Sequence, residues 1–323
     1  MQYRKMGKHG VRLSTVGLGS YLTIGFKLDE KASRETIKAA IDAGINFIDT
    51  ANAYNTGGAE TMLGKCLADY PRSSIFVLTK VFAQMGPGPN DKGLSAKHIF
   101  EQCDASLKRL KMDYVDLYMC HRPDPDTPLE ETVRAMEDLA RRGKILYWGV
   151  SEWPAELMVR ANAIAREIGA RGIGVNEPRY SLLYRWPELS VLPTTAAEGI
   201  GNVIFSGLAH GMLTGKYKPG EEVPAGTRMS GDDTNMVLKA LYWNEENKKK
   251  CQQFVKYAQD LGTTAATLAL AWCLRRPEVT STIIGATKVS QIQENVKAAD
   301  LVIPADLVKK LDELFPPPKA PGF

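Results

Sequence analysis

The chain has 323 residues, of which 44% are hydrophobic and 24% charged, as in ordinary globular proteins. These proportions exclude a disordered chain, a collagen and a cysteine-rich secreted scaffold. Lys and Arg total 41 against 37 Asp and Glu, a net charge of +4. Lys248–Lys250 is the nearest approach to a basic run, and we expect it on the solvated face of a helix. We therefore expect no nucleic-acid partner.

Cysteine usage and hydropathy indicate the compartment. The five cysteines are odd in number and form no C-x-x-C pair, which predicts reduced core thiols in a cytoplasmic protein rather than disulfides or a zinc site. The first residues lack the apolar stretch of a signal peptide. The least polar segment, Ala265–Leu274, is too short to span a bilayer, so we expect no membrane insertion.

In chain order, residues 1–13 predict a β-hairpin that turns at Lys8-His9-Gly10. Eight short apolar runs follow, at residues 16–19, 45–50, 75–79, 115–120, 145–150, 172–176, 202–205 and 282–285. Each is too short for a helix. Continuous apolarity without alternation is typical of strands covered on both faces.

Helix-period segments separate these runs. Ile37, Ala40 and Ile41 have i, i+3, i+4 spacing before Gly44, and residues 127–130 (TPLE) predict a capping box with proline at the first helical position. Strands alternating with helices predict a parallel sheet. Eight such units predict a single (β/α)₈ barrel spanning residues 1–323, with the hairpin closing its floor. A doubly wound sheet is less favoured, because no G-x-G-x-x-G follows any of the runs.

Two segments lie outside this repeat. Residues 217–245 are rich in Gly, Pro and charge, and a loop of this length after the seventh strand predicts a functional lid. Residues 316–323 predict a stiff, proline-containing tail.

Polar residues stand directly at the ends of several apolar runs. Asp49, Lys80 and His121 follow three successive predicted strands, and the carboxyl ends of barrel strands carry the chemistry of this fold. Each alone has an ordinary structural explanation: a helix cap for Asp49, a surface lysine, a structural histidine. Tyr54 likewise fits simple packing. Their arrangement at successive strand ends favours a site.

Several motifs together resemble one family over nearly the whole chain. They are residues 49–54 (DTANAY), 57–60 (GGAE), Thr79-Lys80 and 120–123 (CHRP). This set is similar to the aldo-keto reductases. Residues 86–94 (GPGPNDKGL), 121–136 (HRPDPDTPLEETVRAM) and 147–153 (YWGVSEW) more narrowly resemble the potassium-channel β-subunit branch.

The resemblance implies a catalytic tetrad of Asp49, Tyr54, Lys80 and His121. Tyr54 would be the general acid that protonates a carbonyl oxygen. A nearby Lys80 cation, held by Asp49, is expected to lower the tyrosine pKa from its usual value of about 10. His121 would orient or polarise the same oxygen.

The resemblance also implies NADP(H), bound without a Rossmann turn. Ser151 would contact the nicotinamide carboxamide, Phe205 would stack on its ring, and Lys288 would neutralise the 2′-phosphate, favouring NADPH. The cofactor-binding positions it implies are Ser20, Tyr21, Asp49, Ser151, Glu177, Phe205, Ser206, Leu208, Lys216, Arg228, Gly285, Thr287, Lys288, Gln291, Glu294 and Asn295.

Three positions depart from the family pattern. Glu177 stands where glutamine is usual, Gly207 where proline is usual, and Phe205 where this branch often has tryptophan. An ionised Glu177 accepts but cannot donate a hydrogen bond. Glu177→Gln is therefore expected to tighten cofactor binding, and the choice between NADP and NAD stays open.

Three functions follow as hypotheses. The first is an NADPH-dependent reductase of small aldehydes or ketones. The second is a cofactor-binding regulatory subunit, resembling channel β-subunits, with weak or vestigial catalysis; His121 favours the enzyme, because animal subunits of that branch often carry asparagine there. The branch also implies a homo-oligomer, a tetramer as one possibility. A glycosidase using Glu152 and Glu177 explains neither Tyr54 nor Lys80. The four scattered histidines show no H-x-H or H-E-x-x-H, so we expect no metal site.

Overall fold

The computed structural model describes residues 1–230 and 240–319. Residues 231–239 of the predicted loop 217–245 and residues 320–323 of the predicted tail lie outside the described residues. The strands are β1 (Tyr3–Lys5), β2 (Arg12–Ser14), β3 (Val16–Gly19), β4 (Phe47–Asp49), β5 (Phe76–Val81), β6 (Val115–Cys120), β7 (Ile145–Ser151), β8 (Val175–Glu177), β9 (Gly201–Ile204) and β10 (Val279–Ile284).

Helices lie between the strands and cover the sheet from outside. The α-helices with both ends in the described ranges are α1 (Glu30–Asp42), α2 (Gly58–Cys66), α3 (Ala96–Leu110), α4 (Leu129–Arg141), α5 (Ala155–Glu167), α6 (Val191–Glu198), α7 (Glu245–Asp260), α8 (Ala265–Leu274), α9 (Val289–Asn295) and α10 (Ala305–Leu314). None of these helices is long and apolar enough to cross a membrane.

Strands β3 to β10 form a closed parallel barrel in sequence order. The ring closes where Thr282 of β10 pairs with Val16 of β3. The predicted (β/α)₈ barrel is confirmed, with all eight apolar runs at barrel strands. The last strand begins at Val279, earlier than the predicted residue 282. The apolar pattern missed its first residues because Thr280 and Ser281 are polar, although both are buried in the strand.

The hairpin closes the amino-terminal end of the barrel. Strands β1 and β2 pair antiparallel, with Arg4 opposite Leu13. The side chains of Met6 and Leu13 are fully buried in an interior cluster. The barrel residues of that cluster are Phe47, Phe76, Leu78, Leu117, Met119, Val175 and Val203. The cluster fills the lower barrel, so the opposite, carboxyl end is the end available for a site.

Helix starts follow the expected capping chemistry in part. The Asp29 carboxylate accepts a hydrogen bond from the Ala32 backbone at 2.8 Å and caps α1. The predicted capping box before α4 is wrong. The Thr127 hydroxyl donates to Asp124 at 2.8 Å, and α4 begins after Pro128 with no side-chain cap.

The basic run 248–250 also departs from expectation. Lys248 is buried, not solvated. Its ammonium lies 4.0 Å from the centre of the Trp243 ring and 2.8 Å from a Glu245 oxygen. Pairing with a carboxylate and an aromatic face stabilises the buried charge.

The cysteines are free, buried thiols distributed around the barrel. They are Cys66, Cys103, Cys120, Cys251 and Cys273. Burial raises the pKa of each thiol, that of Cys103, Cys251 and Cys273 to about 12. The thiol form therefore predominates at neutral pH.

Candidate active site

Polar side chains collect at the carboxyl ends of neighbouring barrel strands. Asp49 ends β4, Lys80 lies near the end of β5, His121 follows β6, and Ser151 and Glu177 end β7 and β8. Parallel strands bring these ends to one mouth. A cavity of about 910 Å³ opens there, and all of these side chains except Lys80, which lies behind it, line its wall.

Lys80 is the centre of the hydrogen-bond network. Its side chain is fully buried. The ammonium donates to the Asp49 carboxylate, to the Thr50 carbonyl at 3.1 Å and to the Tyr54 hydroxyl at 3.3 Å. An ammonium has three N–H donors, so these bonds use all of them. Burial disfavours the charged form, but Asp49 and Glu177 outweigh it and hold the pKa of Lys80 above its ordinary value.

Tyr54 lies between two rings at the cavity wall. Its ring centre is 4.9 Å from that of Tyr21 and 5.8 Å from that of His121. Lys80 lowers the tyrosine pKa as expected, but its effect is outweighed, so the net direction is opposite to the one predicted. Burial raises the pKa of Tyr54 above its usual value. The Lys80 cation opposes this, but Asp49 and Glu177, both ionised at the pH where a tyrosine titrates, add to it. Tyr54 therefore keeps its proton at neutral pH.

His121 is a neutral imidazole in this site. Burial, together with the positive charges of Lys80 and Arg122, holds the pKa of His121 well below its usual value. A neutral imidazole has one N–H donor and one acceptor nitrogen. His121 can therefore donate one hydrogen bond into the cavity without adding a charge.

Glu177 brings a second carboxyl group to the same lysine. Its Oε2 atom lies 3.3 Å from Lys80 Nζ and has no hydrogen-bond partner within the described residues. Burial and the neighbouring Asp49 raise the pKa of Glu177 to about 8, against the opposing effect of Lys80. Burial likewise raises the pKa of Asp49, with Lys80 opposing.

Most of the predicted cofactor residues lie around the same cavity. Those that line it are Tyr21, Asp49, Ser151, Glu177, Phe205, Ser206, Leu208, Lys216, Arg228, Gly285, Thr287, Gln291, Glu294 and Asn295. Ser20 and Lys288 do not line it. Ser20 donates to the Thr50 hydroxyl at 2.9 Å, and Lys288 is the residue before α9.

The segment after β9 has an unusual backbone. Ser206, Ala209 and His210 all have positive φ, between 46° and 61°, a region that costs energy for residues with a side chain. The Ser206 hydroxyl lies 3.0 Å from His210 Nε2. Strain of this kind persists where surrounding contacts hold it, often beside a ligand.

At the far end of the cavity, side chains tie the backbone together. Gln291 Oε1 accepts hydrogen bonds from the Thr287 and Lys288 backbone at 2.8 and 3.2 Å. Glu294 accepts from Thr264 and Thr267, both at 2.9 Å. Gln291 and Glu294 thus support the wall in this structure.

Two arginines of the cavity wall were not singled out in the sequence. Arg122 donates to the Ser151 hydroxyl at 3.3 Å. The Arg179 guanidinium lies 5.6 Å from the centre of the Phe205 ring. Arg122 adjoins His121 and Arg179 follows the end of β8 by two residues, and this proximity to strand ends was the signal that could have identified them.

The cavity suits an elongated anionic ligand. Lys216 and Arg228 line the cavity, and within the described residues Arg228 Nε is buried without a hydrogen-bond partner. A bound phosphate would supply the missing acceptor. The residues present therefore fit a dinucleotide.

Two alternative chemistries find no support in the described ranges. Residues 1–230 and 240–319 contain no group of three or more His, Cys, Asp or Glu side chains placed to hold a metal ion. Glu152 does not line the cavity, and its carboxylate accepts a hydrogen bond from the Arg179 backbone at 2.6 Å. It therefore does not form a catalytic pair with Glu177.

Comparisons with known proteins agree with this geometry. The model of the aldo/keto reductase family matches residues 15–315. A relative from Arabidopsis thaliana, named "Probable voltage-gated potassium channel subunit beta", is 43% identical over 306 residues, covering 94% of this chain and 92% of the relative. A relative of the same name from Oryza sativa is 42% identical, covering 97% and 96%. One from Schizosaccharomyces pombe, named in similar terms, is 40% identical, covering 97% and 93%.

Proposed function

The chain belongs to the aldo/keto reductase family, and on that premise we propose that it is an NADP(H)-dependent oxidoreductase that reduces aldehydes and ketones to alcohols. The observation that carries the proposal is the bond from the buried Lys80 ammonium to the hydroxyl of Tyr54. Asp49 holds the same ammonium from the other side. A protonated phenol is thereby fixed at the wall of a cavity large enough for a cofactor and a small substrate.

The side chains divide the chemistry between them. Bound at the mouth, the nicotinamide of the cofactor would supply the hydride. Tyr54 donates its proton to the carbonyl oxygen as negative charge develops there. The raised pKa of Tyr54 does not prevent this step, because the alkoxide being formed is more basic than a phenolate. Lys80, 3.3 Å from the hydroxyl, then stabilises the phenolate.

His121 assists without changing charge. The neutral imidazole can donate a hydrogen bond to the same carbonyl oxygen and so polarise it. Its ring lies edge-on to Tyr54, with an interplanar angle of 72°. The two donors thus bound one side of the cavity, and the substrate oxygen would lie between them.

Cofactor binding would use two parts of the cavity wall and, outside the wall, the residue before α9. Ser151 would hold the carboxamide and Phe205 would stack on the nicotinamide. Lys216 and Arg228 would bind the pyrophosphate, which is supported by their place in the cavity wall and by the buried Arg228 Nε that has no hydrogen-bond partner among the described residues. Lys288 would meet the 2′-phosphate, which favours NADPH over NADH.

Tyr54→Phe tests the proposal. NADPH oxidation is followed by nicotinamide absorbance with 4-nitrobenzaldehyde, methylglyoxal and a 2-oxoester. Loss of the general acid should lower kcat by about 10²–10⁴-fold with little change in the Kd of NADPH. Tyr70→Phe, which removes a half-buried hydroxyl outside the cavity, is the matched control and should leave kcat unchanged. Equal turnover by wild type and Tyr54→Phe would contradict the assignment.

The names of the relatives favour a second candidate. A cofactor-binding regulatory subunit with weak catalysis would use the same cavity and the same dinucleotide. Tight NADPH binding with no turnover on any carbonyl of the panel would support this candidate over the reductase. Light scattering on the purified protein would show whether it forms the homo-oligomer, such as a tetramer, that the branch implies.

A further inference from the structure

Glu177 presents an unpartnered acceptor to the cofactor cavity. Its side chain is only 4% exposed, and it lines the cavity from the end of β8. Oε2 is buried without a hydrogen-bond partner among the described residues, although Lys80 Nζ is 3.3 Å away. Lys80 directs its three N–H groups at Asp49, Thr50 and Tyr54, so its contact with Glu177 is an ion-pair contact without a well-aligned hydrogen bond. A buried carboxylate left in this state would be costly.

A count of the buried charges shows how this cost is avoided. Two buried carboxyl groups, Asp49 and Glu177, share one ammonium, so the cluster is electrically neutral only when one of them holds a proton. Asp49 receives the direct bond from Lys80 and is the better-stabilised anion. The proton therefore resides on Glu177, in agreement with the direction of its pKa, which burial and Asp49 raise.

The other groups around Glu177 do not change this count. Tyr54, from the loop after β4, and His121, after β6, are both neutral at pH 7. Arg122, after β6, bonds to the His121 carbonyl and the Ser151 hydroxyl, and its effect on Glu177 is smaller than those of Asp49 and Lys80. Arg179, two residues beyond Glu177, contacts the rings of Tyr184 and Phe205.

We propose that Glu177 adjusts its proton to the redox state of the bound nicotinamide: it keeps the proton when the uncharged reduced ring is bound and releases it to solvent when the positively charged oxidised ring is bound. In both states the buried charges then sum to zero. Asp49 and Lys80 balance with the reduced form, and the ionised Glu177 balances the added positive charge of the oxidised form. The inference rests on the proposed function, because it requires a nicotinamide cofactor in this cavity.

The proposal changes what glutamine at this position should do. A protonated Glu177 can donate a hydrogen bond, as a glutamine amide can, so Glu177→Gln should leave NADPH binding nearly unchanged at pH 7. Glutamine cannot become an anion, so NADP⁺ should bind more weakly to the variant. This replaces the expectation from the sequence that glutamine tightens cofactor binding.

Isothermal titration calorimetry measures the predicted proton directly. Wild type is titrated with NADP⁺ and with NADPH at pH 7 in two buffers of different ionisation enthalpy. Wild type should release close to one proton more, about 0.9 for a carboxyl of pKa about 8, with NADP⁺ than with NADPH. Any proton change at the 2′-phosphate is common to both nucleotides and cancels in the difference. At pH values below the pKa of Glu177, the Kd of NADP⁺ should fall by up to about tenfold for each unit by which the pH is raised.

Two variants and one spectrum complete the test. Glu177→Gln should abolish the difference in proton release between NADP⁺ and NADPH binding. Glu152→Gln, at the neighbouring strand end but outside the cavity lining, should keep it. In nucleotide-free protein, the ¹³C carboxyl resonance that disappears in Glu177→Gln should titrate near pH 8.

The outcomes separate this inference from the proposed function. Equal proton release with both nucleotides, or a difference that persists in Glu177→Gln, would overturn the inference while leaving the reductase intact. A Glu177 resonance that titrates at the ordinary value of about 4.3 would also overturn it. Absence of binding by either nucleotide would overturn the proposed function, and the inference with it.

Discussion

Replacing Lys80 by methionine tests the charge count at the centre of the site. The substitution keeps most of the side-chain volume and removes the single positive charge between Asp49 and Glu177. Between about pH 6 and pH 8, both carboxyl groups are ionised in the unfolded chain. In the folded wild type, Glu177 holds one proton, because its pKa is raised to about 8. The unfolded chain does not hold this proton, so the free energy of unfolding declines as the pH rises towards about 8.

The size of the effect follows from the number of protons. Without the ammonium, Asp49 must also be protonated to stay buried, so the folded variant holds two. Each additional proton bound only by the folded state lowers the free energy of unfolding by about 1.4 kcal/mol per pH unit. Wild type begins to lose its Glu177 proton near pH 8, so the loss of unfolding free energy in Lys80→Met relative to wild type should grow by about 3 kcal/mol from pH 6 to pH 8.

Urea unfolding at three pH values measures this slope. Circular dichroism and tryptophan fluorescence should give coincident transitions if unfolding is two-state. Lys38→Met is the matched control, since Lys38 is exposed and pairs with Asp42 on the surface of α1; its pH slope should equal that of wild type. If the difference in unfolding free energy between Lys80→Met and wild type does not change with pH, the reasoning is refuted, because Asp49 would then remain charged without its partner.

Three further substitutions probe the fold and the cofactor site. Gly17→Ala would place a methyl group against the Phe47 ring inside the barrel and should cost about 1–3 kcal/mol; an unchanged urea midpoint would argue against tight packing there. Arg109→Met would leave the fully buried Glu60 without the partner 2.6 Å away and should cost about 3–5 kcal/mol by urea unfolding, so a loss below about 1 kcal/mol would be inconsistent with a buried pair. Lys288→Ala should raise the Kd of NADPH by roughly tenfold or more and leave that of NADH unchanged; an equal effect on both would remove Lys288 from 2′-phosphate recognition.

The barrel was predictable because its strands are apolar on both faces. Residues 16–19 form a strand with the predicted bounds, since nothing polar interrupts them. Residues 115–120 also keep the predicted bounds, although Asp116 lies among them, because Arg72 and the Val77 backbone satisfy its carboxylate. The start of β10 was not predictable in this way, because Thr280 and Ser281 are buried in spite of their hydroxyls. Patterns of hydrophobicity thus locate strands but miss their polar interior residues.

The site was predictable only where it follows from strand order. Asp49 and Lys80 end adjacent strands, so their pairing could be expected from the sequence. Glu177 lies three strands further around the barrel, and it approaches Lys80 only because the ring closes and the side chains meet across its interior. The direction of the Tyr54 pKa was missed for a related reason: it depends on the balance between burial and three neighbouring charges, which requires distances.

Because all five thiols are buried, the rate at which each one reacts reports how often the segment around it opens. The cysteines lie at α2, α3, the end of β6, α7 and α8, which are Cys66, Cys103, Cys120, Cys251 and Cys273. A thiol that is both shielded and protonated reacts with an alkylating reagent only when its own segment opens. Pulsed alkylation followed by mass spectrometry would therefore rank five segments of the molecule by opening free energy, without introducing any label.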